Sequence, residues 1–355
     1  MGIPAAADVP TLDFGTQERD ADEGVDIDLS TCVNRYGPPP AALSALHAIQ
    51  PEDILLHPHD AAPRLVELYR GATGVPHGAM IAGRGASEFI WAMGRELTPS
   101  SVQVPLPAYT GYLEAFPGRG FNPAGQPTPT LDQIDAAMNA AGVVIMSNPH
   151  NPTGAYLDPD GLIDIAGGHP AATLVVDESY IDFTPEPVGW SVIGCDVPNI
   201  VVLRSTTKFY GIAATRTGIA WCAESGPLAY LFGKPEKWGL SGVDVRVACA
   251  AVRSFAWSEH TRVQLHADNA WLAENLSGIA GFDLFVNQNV HFQYASCKRA
   301  DEVARVFHRH GISVRVLGAA HGVAPAALRI MAPRRDERAR FAAAVTNVID
   351  ELVGA

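Results

Sequence analysis

Short, continuous apolar runs rich in β-branched residues recur along the middle of the chain, at Met80–Ala82, Val143–Met146, Leu174–Val176 and Ile200–Leu203. Each is followed by a loop and then by a stretch with helical patterning, as at Ala86–Leu97 and Leu131–Ala141. A strand with one wet face alternates apolar and polar residues. A run that stays apolar throughout suits a strand covered on both faces, the situation inside a parallel sheet. Strand, loop and helix in rotation predict an α/β domain: a mainly parallel sheet sandwiched by helices.

The texture changes after about residue 240. A long helical stretch leads into Phe282–Ala295, which alternates like an antiparallel strand. A helix (Ala300–Arg309), two strands (Ile312–Leu317 and Ala327–Met331) and an amphipathic closing helix (Glu337–Leu352) follow, which predicts a smaller α+β domain. Residues 1–27 are Ala/Asp/Glu-rich and read as a loose arm, and residues 28–40 form a turn-rich connector ending in three prolines. The expected division is therefore 1–45 arm and connector, 46–240 large domain and 241–355 small domain. With 355 residues, 47% of them hydrophobic, the chain has material for a substantial core. A formal net charge of −13 disfavours non-specific nucleic-acid binding. The five scattered cysteines make no metal-ligand spacing and read as reduced thiols of a cytoplasmic protein, with no metal site. The N-terminus has no signal-peptide pattern, and no apolar run is long enough to predict a membrane span.

Ligands of open α/β sheets bind at the carboxyl ends of strands, so the residues after each strand carry the functional information. After Met80–Ala82 comes Gly83-Arg84-Gly85-Ala86-Ser87-Glu88, small residues at a helix start whose backbone N–H groups suit a phosphate; a plain glycine-rich turn fits equally. After Val143–Met146 comes Ser147-Asn148-Pro149-His150-Asn151-Pro152-Thr153-Gly154, stiff enough to hold the Asn151 amide in place or merely to turn the chain. After Leu174–Val176, Asp177 is costly to bury unless a cation or donor meets it; a helix cap is the other reading. After Ile200–Leu203, Lys208 lies among hydroxyls with Arg216 eight residues on, a setting for a lysine nucleophile or for an ordinary lysine.

The order and spacing of these segments carry the resemblance. Asn151-Pro152-Thr153-Gly154, Asp177-x-x-Tyr180 and Ser205-x-x-Lys208 with Arg216 resemble the NPTG, D-x-x-Y and S-x-x-K…R motifs of fold-type I pyridoxal-5'-phosphate (PLP) enzymes, the class I and II aminotransferases. The resemblance runs from about residue 26 to the C-terminus. It implies the aspartate-aminotransferase fold, with a seven-stranded type of sheet, and a homodimer with active sites at the interface. It implies that Lys208 holds PLP as a Schiff base and shuttles a proton. Asp177 would pair with the ring nitrogen and preserve the ring as an electron sink. Asn151 and Tyr180 would bond the phenolic oxygen, and Tyr109 would stack on the ring. Gly85, Ala86 and Ser87 would hold the phosphate, helped by Ser205 and Arg216. Arg329 would grip the carboxylate of an amino-acid-type substrate.

Asn34-Arg35-Tyr36-Gly37-Pro38-Pro39 resembles the N-terminal segment of histidinol-phosphate aminotransferases and threonine-phosphate decarboxylases, which makes Asn34 and Tyr36 candidate substrate contacts. In Gly311-Ile312-Ser313-Val314-Arg315, Arg315 matches an arginine that helps hold a substrate phosphate. The tyrosine that in both groups reaches the partner's PLP phosphate is replaced by His57, which would take over that contact or be a loop histidine. Such departures imply a specialised or secondary-metabolic member. Transamination is the leading expectation; decarboxylation of a phosphorylated or plain amino acid, or a PLP-dependent cyclase or oxidase reaction, are the alternatives. A ligand-sensing domain fused to a DNA-binding helix-turn-helix is disfavoured, because the enzyme pattern begins by residue 28 and the chain is acidic.

Overall fold

The computed structural model describes residues 24–353. Most of the expected loose arm, 1–23, lies outside the described residues. Among those described, the strands of the first part of the chain are β1 (Ile27–Asp28), β2 (Ala79–Gly83), β3 (Val102–Pro105), β4 (Gly120–Phe121), β5 (Val143–Ser147), β6 (Thr173–Asp177), β7 (Ile200–Ser205) and β8 (Gly218–Cys222). Those of the second part are β9 (Asp283–Phe285), β10 (Phe292–Ser296), β11 (Ile312–Ser313), β12 (Arg315–Leu317) and β13 (Ala327–Met331). Seven strands make one sheet in the order β2-β8-β7-β6-β5-β3-β4. It is parallel from β7 through β4, while β8 runs antiparallel to both neighbours.

The continuous apolar runs are explained by two cores, one on each face. Val144, Met146, Leu174, Val176, Ile200 and Val202 pack with the helices Ala61–Thr73, Leu131–Ala140 and Pro159–Gly168. Their neighbours Val143, Ile145, Val175, Val201 and Leu203 pack on the other face with the helices Gly85–Glu96 and Ser225–Phe232. Successive residues of a strand point to opposite faces, so both parities must be apolar.

The second part forms an antiparallel sheet, β12-β13-β10-β9, with the helices Ala300–Arg309 and Arg338–Val348 beside it. Three expectations change here. Phe282–Ala295 is not one strand but the pair β9 and β10, because Asn287 turns the chain and bonds the Phe292 carbonyl across the turn. Ile312–Leu317 splits at Val314: β11 pairs with β1, and β12 pairs with β13. The closing helix is regular only to Val348 and continues as a wider turn over Ile349–Val353. Just past residue 240, the helix Gly242–Val252 rests on the helices Pro40–His47 and Ala61–Thr73. Among the described residues no helix is long and apolar enough to cross a membrane.

One buried ion pair lies beneath the sheet's carboxyl edge. Arg204 donates through Nε to Glu178 at 2.7 Å, and Glu178 also accepts from the Ser191 hydroxyl and the Val192 N–H. Burial pushes the Glu178 carboxyl up, and the Arg204 charge opposes that push. Removing one member of such a pair strands the other charge. Arg204→Met should therefore cost about 3–5 kcal/mol in urea unfolding, and adding Glu178→Gln should restore at least half of the loss. A single variant as stable as the parent would mean that Glu178 does not need the arginine.

Candidate active site

Strand register builds the site. Ser147 pairs with Asp177, and Asp177 with Leu203, so the carboxyl ends of β5, β6 and β7 come level. The loops leaving them deliver Asn151, Asp177 to Tyr180, and Ser205 to Lys208 to one edge. A cavity of about 250 Å³ opens there. Of the residues singled out in the sequence, Ala86, Ser87, Tyr109, Asn151, Asp177 and Tyr180 line it, as do Ser205, Lys208, Arg216, Arg315 and Arg329.

One end is made for an anion. Gly85 opens the helix Gly85–Glu96 with φ +73°, and Ala86 and Ser87 follow in its first turn, where backbone N–H groups lack helical acceptors. A Cβ on Gly85 would come within 3.1 Å of Arg216 Nη2 and 3.9 Å of Ser205 Oγ, so the glycine keeps a cradle open between helix end, guanidinium and hydroxyl. Ser205 Oγ lies 2.9 Å from Thr207 Oγ1, a second hydroxyl on the cavity wall.

Asp177 forms the floor. Its Oδ1 accepts from the Ser179 N–H at 3.0 Å and hydroxyl at 2.5 Å, and its Oδ2 from the Tyr112 hydroxyl at 2.8 Å. Burial pushes the carboxyl above its usual range, against those bonds and the charge of Lys208. A carboxylate this dry calls for a cationic partner, and a protonated ring nitrogen is one.

The far wall comes from the small sheet. Arg315 on β12 and Arg329 on β13 are direct cross-strand partners, and both line the cavity. Arg329 donates to Asn151 Oδ1 at 2.7 Å and to the Ser30 carbonyl at 2.8 Å, while its Nε is buried with no hydrogen-bond partner. The bond from Arg329 fixes the Asn151 amide with its NH2 group left to donate. Burial, and next the neighbouring Cys32, push the Tyr180 phenol far up.

Three expected site residues lie elsewhere. Asn34 is buried behind the site, donating to the Phe209 carbonyl at 2.7 Å and accepting from the Tyr36 N–H at 2.9 Å; its own N–H bonds the Lys208 carbonyl. Tyr36 donates to Asp268 at 2.5 Å. His57 is outside the cavity of its own chain and stacks on Trp238 with ring centroids 4.1 Å apart. The cavity is also lined by Tyr112, Ser179 and Thr207, which the sequence did not single out, and by His321, which falls near a segment that shapes the pocket in the families the chain resembles but reads from sequence as a packed residue. Tyr112 comes three residues after Tyr109, one helical turn, and that spacing was the available signal. Among the described residues no cluster of three or more His, Cys, Asp or Glu side chains could hold a metal.

The aminotransferase class I and II family model matches residues 25–345. The chain belongs to the class I and II aminotransferase family. A relative named histidinol-phosphate aminotransferase, from Symbiobacterium thermophilum, is 26% identical over 333 residues, 92% of this chain and 91% of its own. Among solved structures, a histidinol-phosphate aminotransferase from Sinorhizobium meliloti in complex with pyridoxal-5'-phosphate superposes with TM-score 0.79 at 21% identity, over 92% of each chain. L-threonine-O-3-phosphate decarboxylase from Porphyromonas gingivalis also gives 0.79, at 18% identity, over 92% of this chain and all of its own. The fold is the aminotransferase fold, and the enzyme is a PLP-dependent transaminase. The anion cradle at Gly85 and the dry carboxylate of Asp177 both fit that cofactor.

His150 ties together the two cavity loops that carry Tyr109 and Asn151. Its Nε2 donates to the Pro107 carbonyl at 2.8 Å, so its Nδ1 accepts from the Thr153 hydroxyl at 2.7 Å. Burial pushes its pKa down to about 4. The unfolded chain takes up the proton first as pH falls, so the folded state loses stability between pH 6.5 and about 4. His150→Asn should lower the pH dependence of the unfolding free energy in that window by one proton, about 1.4 kcal/mol per pH unit. An unchanged slope in urea titrations would show that His150 is already protonated in the fold.

Proposed function

We propose that this aminotransferase acts on an amino compound carrying an acidic group, a phosphate foremost, and that Lys208, Asp177 and Tyr180 do its chemistry. One observation carries the substrate reading: Arg315 and Arg329 face each other across neighbouring strands and open into one cavity. Like charges directly opposite on a sheet repel, and a bound anion turns that repulsion into attraction. The partnerless Nε of Arg329 supports the same reading. Relatives named for histidinol phosphate agree with it.

PLP, when bound, supplies an electron sink for the electrons left at the substrate Cα. The chain supplies the rest. Ser87, Ser205 and Arg216, with the N–H groups at Gly85 and Ala86, hold the phosphate end. Asp177 keeps the ring nitrogen protonated, and Ser179 and Tyr112 keep Asp177 in place. Tyr109 covers one face of the ring. Asn151 and Tyr180 donate to the phenolic oxygen. Lys208 anchors the cofactor, and its amine takes the proton from the substrate Cα. Arg329 orients a substrate carboxylate next to that carbon, and Arg315 takes the phosphate or second acidic group.

We also propose a homodimer. The helices Pro40–His47 and Pro51–Leu55 and the residue after them expose Leu43, Leu46, Ile54, Leu55 and Leu56, with Trp238 nearby, an apolar surface suited to a second copy. His57 follows directly and would reach the partner's cofactor phosphate. The five unpaired cysteines suit a reducing cytoplasm.

Borohydride treatment of the PLP-loaded enzyme should fix a cofactor-mass adduct on Lys208, and Lys208→Ala should form none. An adduct in that variant would remove the central assignment. Asp177→Ala should retain PLP poorly and lose turnover by orders of magnitude; unaffected turnover would remove its role at the ring nitrogen. Mixed with amino acids and phosphorylated amino acids, the enzyme should give aminated cofactor with an acidic substrate. Release of CO2 without aminated cofactor would assign a decarboxylase instead. His57→Ala should raise the Kd for PLP if the histidine crosses the dimer, and an unchanged Kd would return it to the loop.

A further inference from the structure

The cavity wall that carries the two arginines holds a third polar group. His321 ends the short turn Ala319–His321, in the segment joining β12 to β13, and lines the cavity with Arg315 and Arg329. The turn is pinned at several points. The Ala108 N–H donates to the His321 carbonyl at 3.0 Å, which ties it to the loop that carries Tyr109. The His321 N–H bonds the Gly318 carbonyl at 2.9 Å. Gly322 follows with φ +69°, and a Cβ there would come within 2.7 Å of the Leu106 side chain, so the chain lies flat against the large sheet.

The ring has a defined orientation. The Gly318 N–H donates to His321 Nδ1 at 3.5 Å. A nitrogen that accepts carries no proton, so in the neutral ring Nε2 is the donor. Burial, and next the charges of Arg315 and Arg329, push the His321 pKa down to about 4. A third full positive charge here would add to the repulsion already present between the arginines. A neutral N–H adds a directed donor without that cost.

The geometry points to His321 as a specificity-determining residue: its Nε2–H recognises the acidic group that Arg315 grips, and so favours a phosphorylated or doubly acidic substrate over its neutral analogue. The inference rests on the proposed acidic substrate and names the side chain that enforces it. The gain comes from a hydrogen bond to a charged acceptor, which Arg315 alone does not complete.

The test compares O-phospho-L-serine with L-serine on the PLP-loaded enzyme, by equilibrium titration of the cofactor absorption band. The parent should prefer the phosphorylated compound. His321→Leu keeps the bulk and removes the donor, and should weaken O-phospho-L-serine binding roughly tenfold or more while leaving L-serine within about twofold. His321→Gln restores an N–H donor and should recover most of the preference. If His321→Leu retains the parental preference, or loses both compounds equally, His321 does not select the substrate. Arg315→Gln separates this failure from a deeper one. If Arg315→Gln removes the preference and His321→Leu does not, the acidic-substrate reading stands and only the role of His321 falls. If the parent shows no preference and Arg315→Gln changes nothing, the acidic-substrate reading fails and takes the role of His321 with it.

Discussion

Three buried parallel strands held in register make everything at the site possible. Ser147, Asp177 and Leu203 lie side by side, and the hydrogen-bond ladder allows no slip without turning each strand's apolar set the wrong way. Because both faces of β5, β6 and β7 are packed, the strands are locked from two sides. The loops after them therefore start from fixed points. Asn151, Asp177 and Lys208 meet at one edge although their positions span 57 residues of chain.

Electrostatics then divides that edge. The chain as a whole is acidic, with a formal charge of −13, yet the cavity gathers Lys208, Arg216, Arg315 and Arg329 around a single carboxylate, Asp177. Arg216 stands at the helix end, beside the opening at Gly85. Arg315 and Arg329 stand on the small sheet, at the opposite wall. Between them Asp177 is kept dry, which makes its partnership with a protonated ring worth far more than the same pair in water. In the proposed function the Arg216 end would receive a cofactor phosphate and the wall of Arg315 and Arg329 a substrate acid.

Much of this was legible in the sequence because it rested on spacing. β5, β6 and β7 and the helices at 85–96, 131–140 and 300–309 fall within a residue or two of where apolar periodicity puts them. The cavity residues taken from motif positions came together because motifs record what each strand end must deliver. What spacing could not give was direction. Asn34 and Tyr36 lie in a segment that resembles a substrate-binding one, but in this fold Asn34 bonds backbone behind Lys208 and Tyr36 bonds Asp268. Tyr112 was invisible for the converse reason: an apolar-looking helix position whose hydroxyl alone reaches Asp177. His321, near a pocket-shaping segment by resemblance, reads from sequence as a packed residue; the contact of its turn with Ala108 is what holds it at the cavity.

The join between the two sheets extends this logic. Arg329 belongs to β13 of the small sheet, yet it bonds Asn151 on a loop of the large one. The same loop is held a second time, where Asn287 and Asn289 of the β9–β10 turn donate to the carbonyls of Thr153 and Gly154. A Cβ on Gly154 would come within 2.4 Å of the Asn287 side chain, so the glycine is there for the contact as much as for its φ of +75°. The residue proposed to receive a substrate acid and the residue proposed to donate to the cofactor ring are thus one hydrogen bond apart. On that reading, an anion arriving at Arg329 would compete for the guanidinium that fixes the Asn151 amide, and so act on the cofactor's environment as well as on its own position. On the proposed function, substrate recognition and cofactor tuning would be coupled through this pair of side chains, and neither sheet supplies the cavity alone.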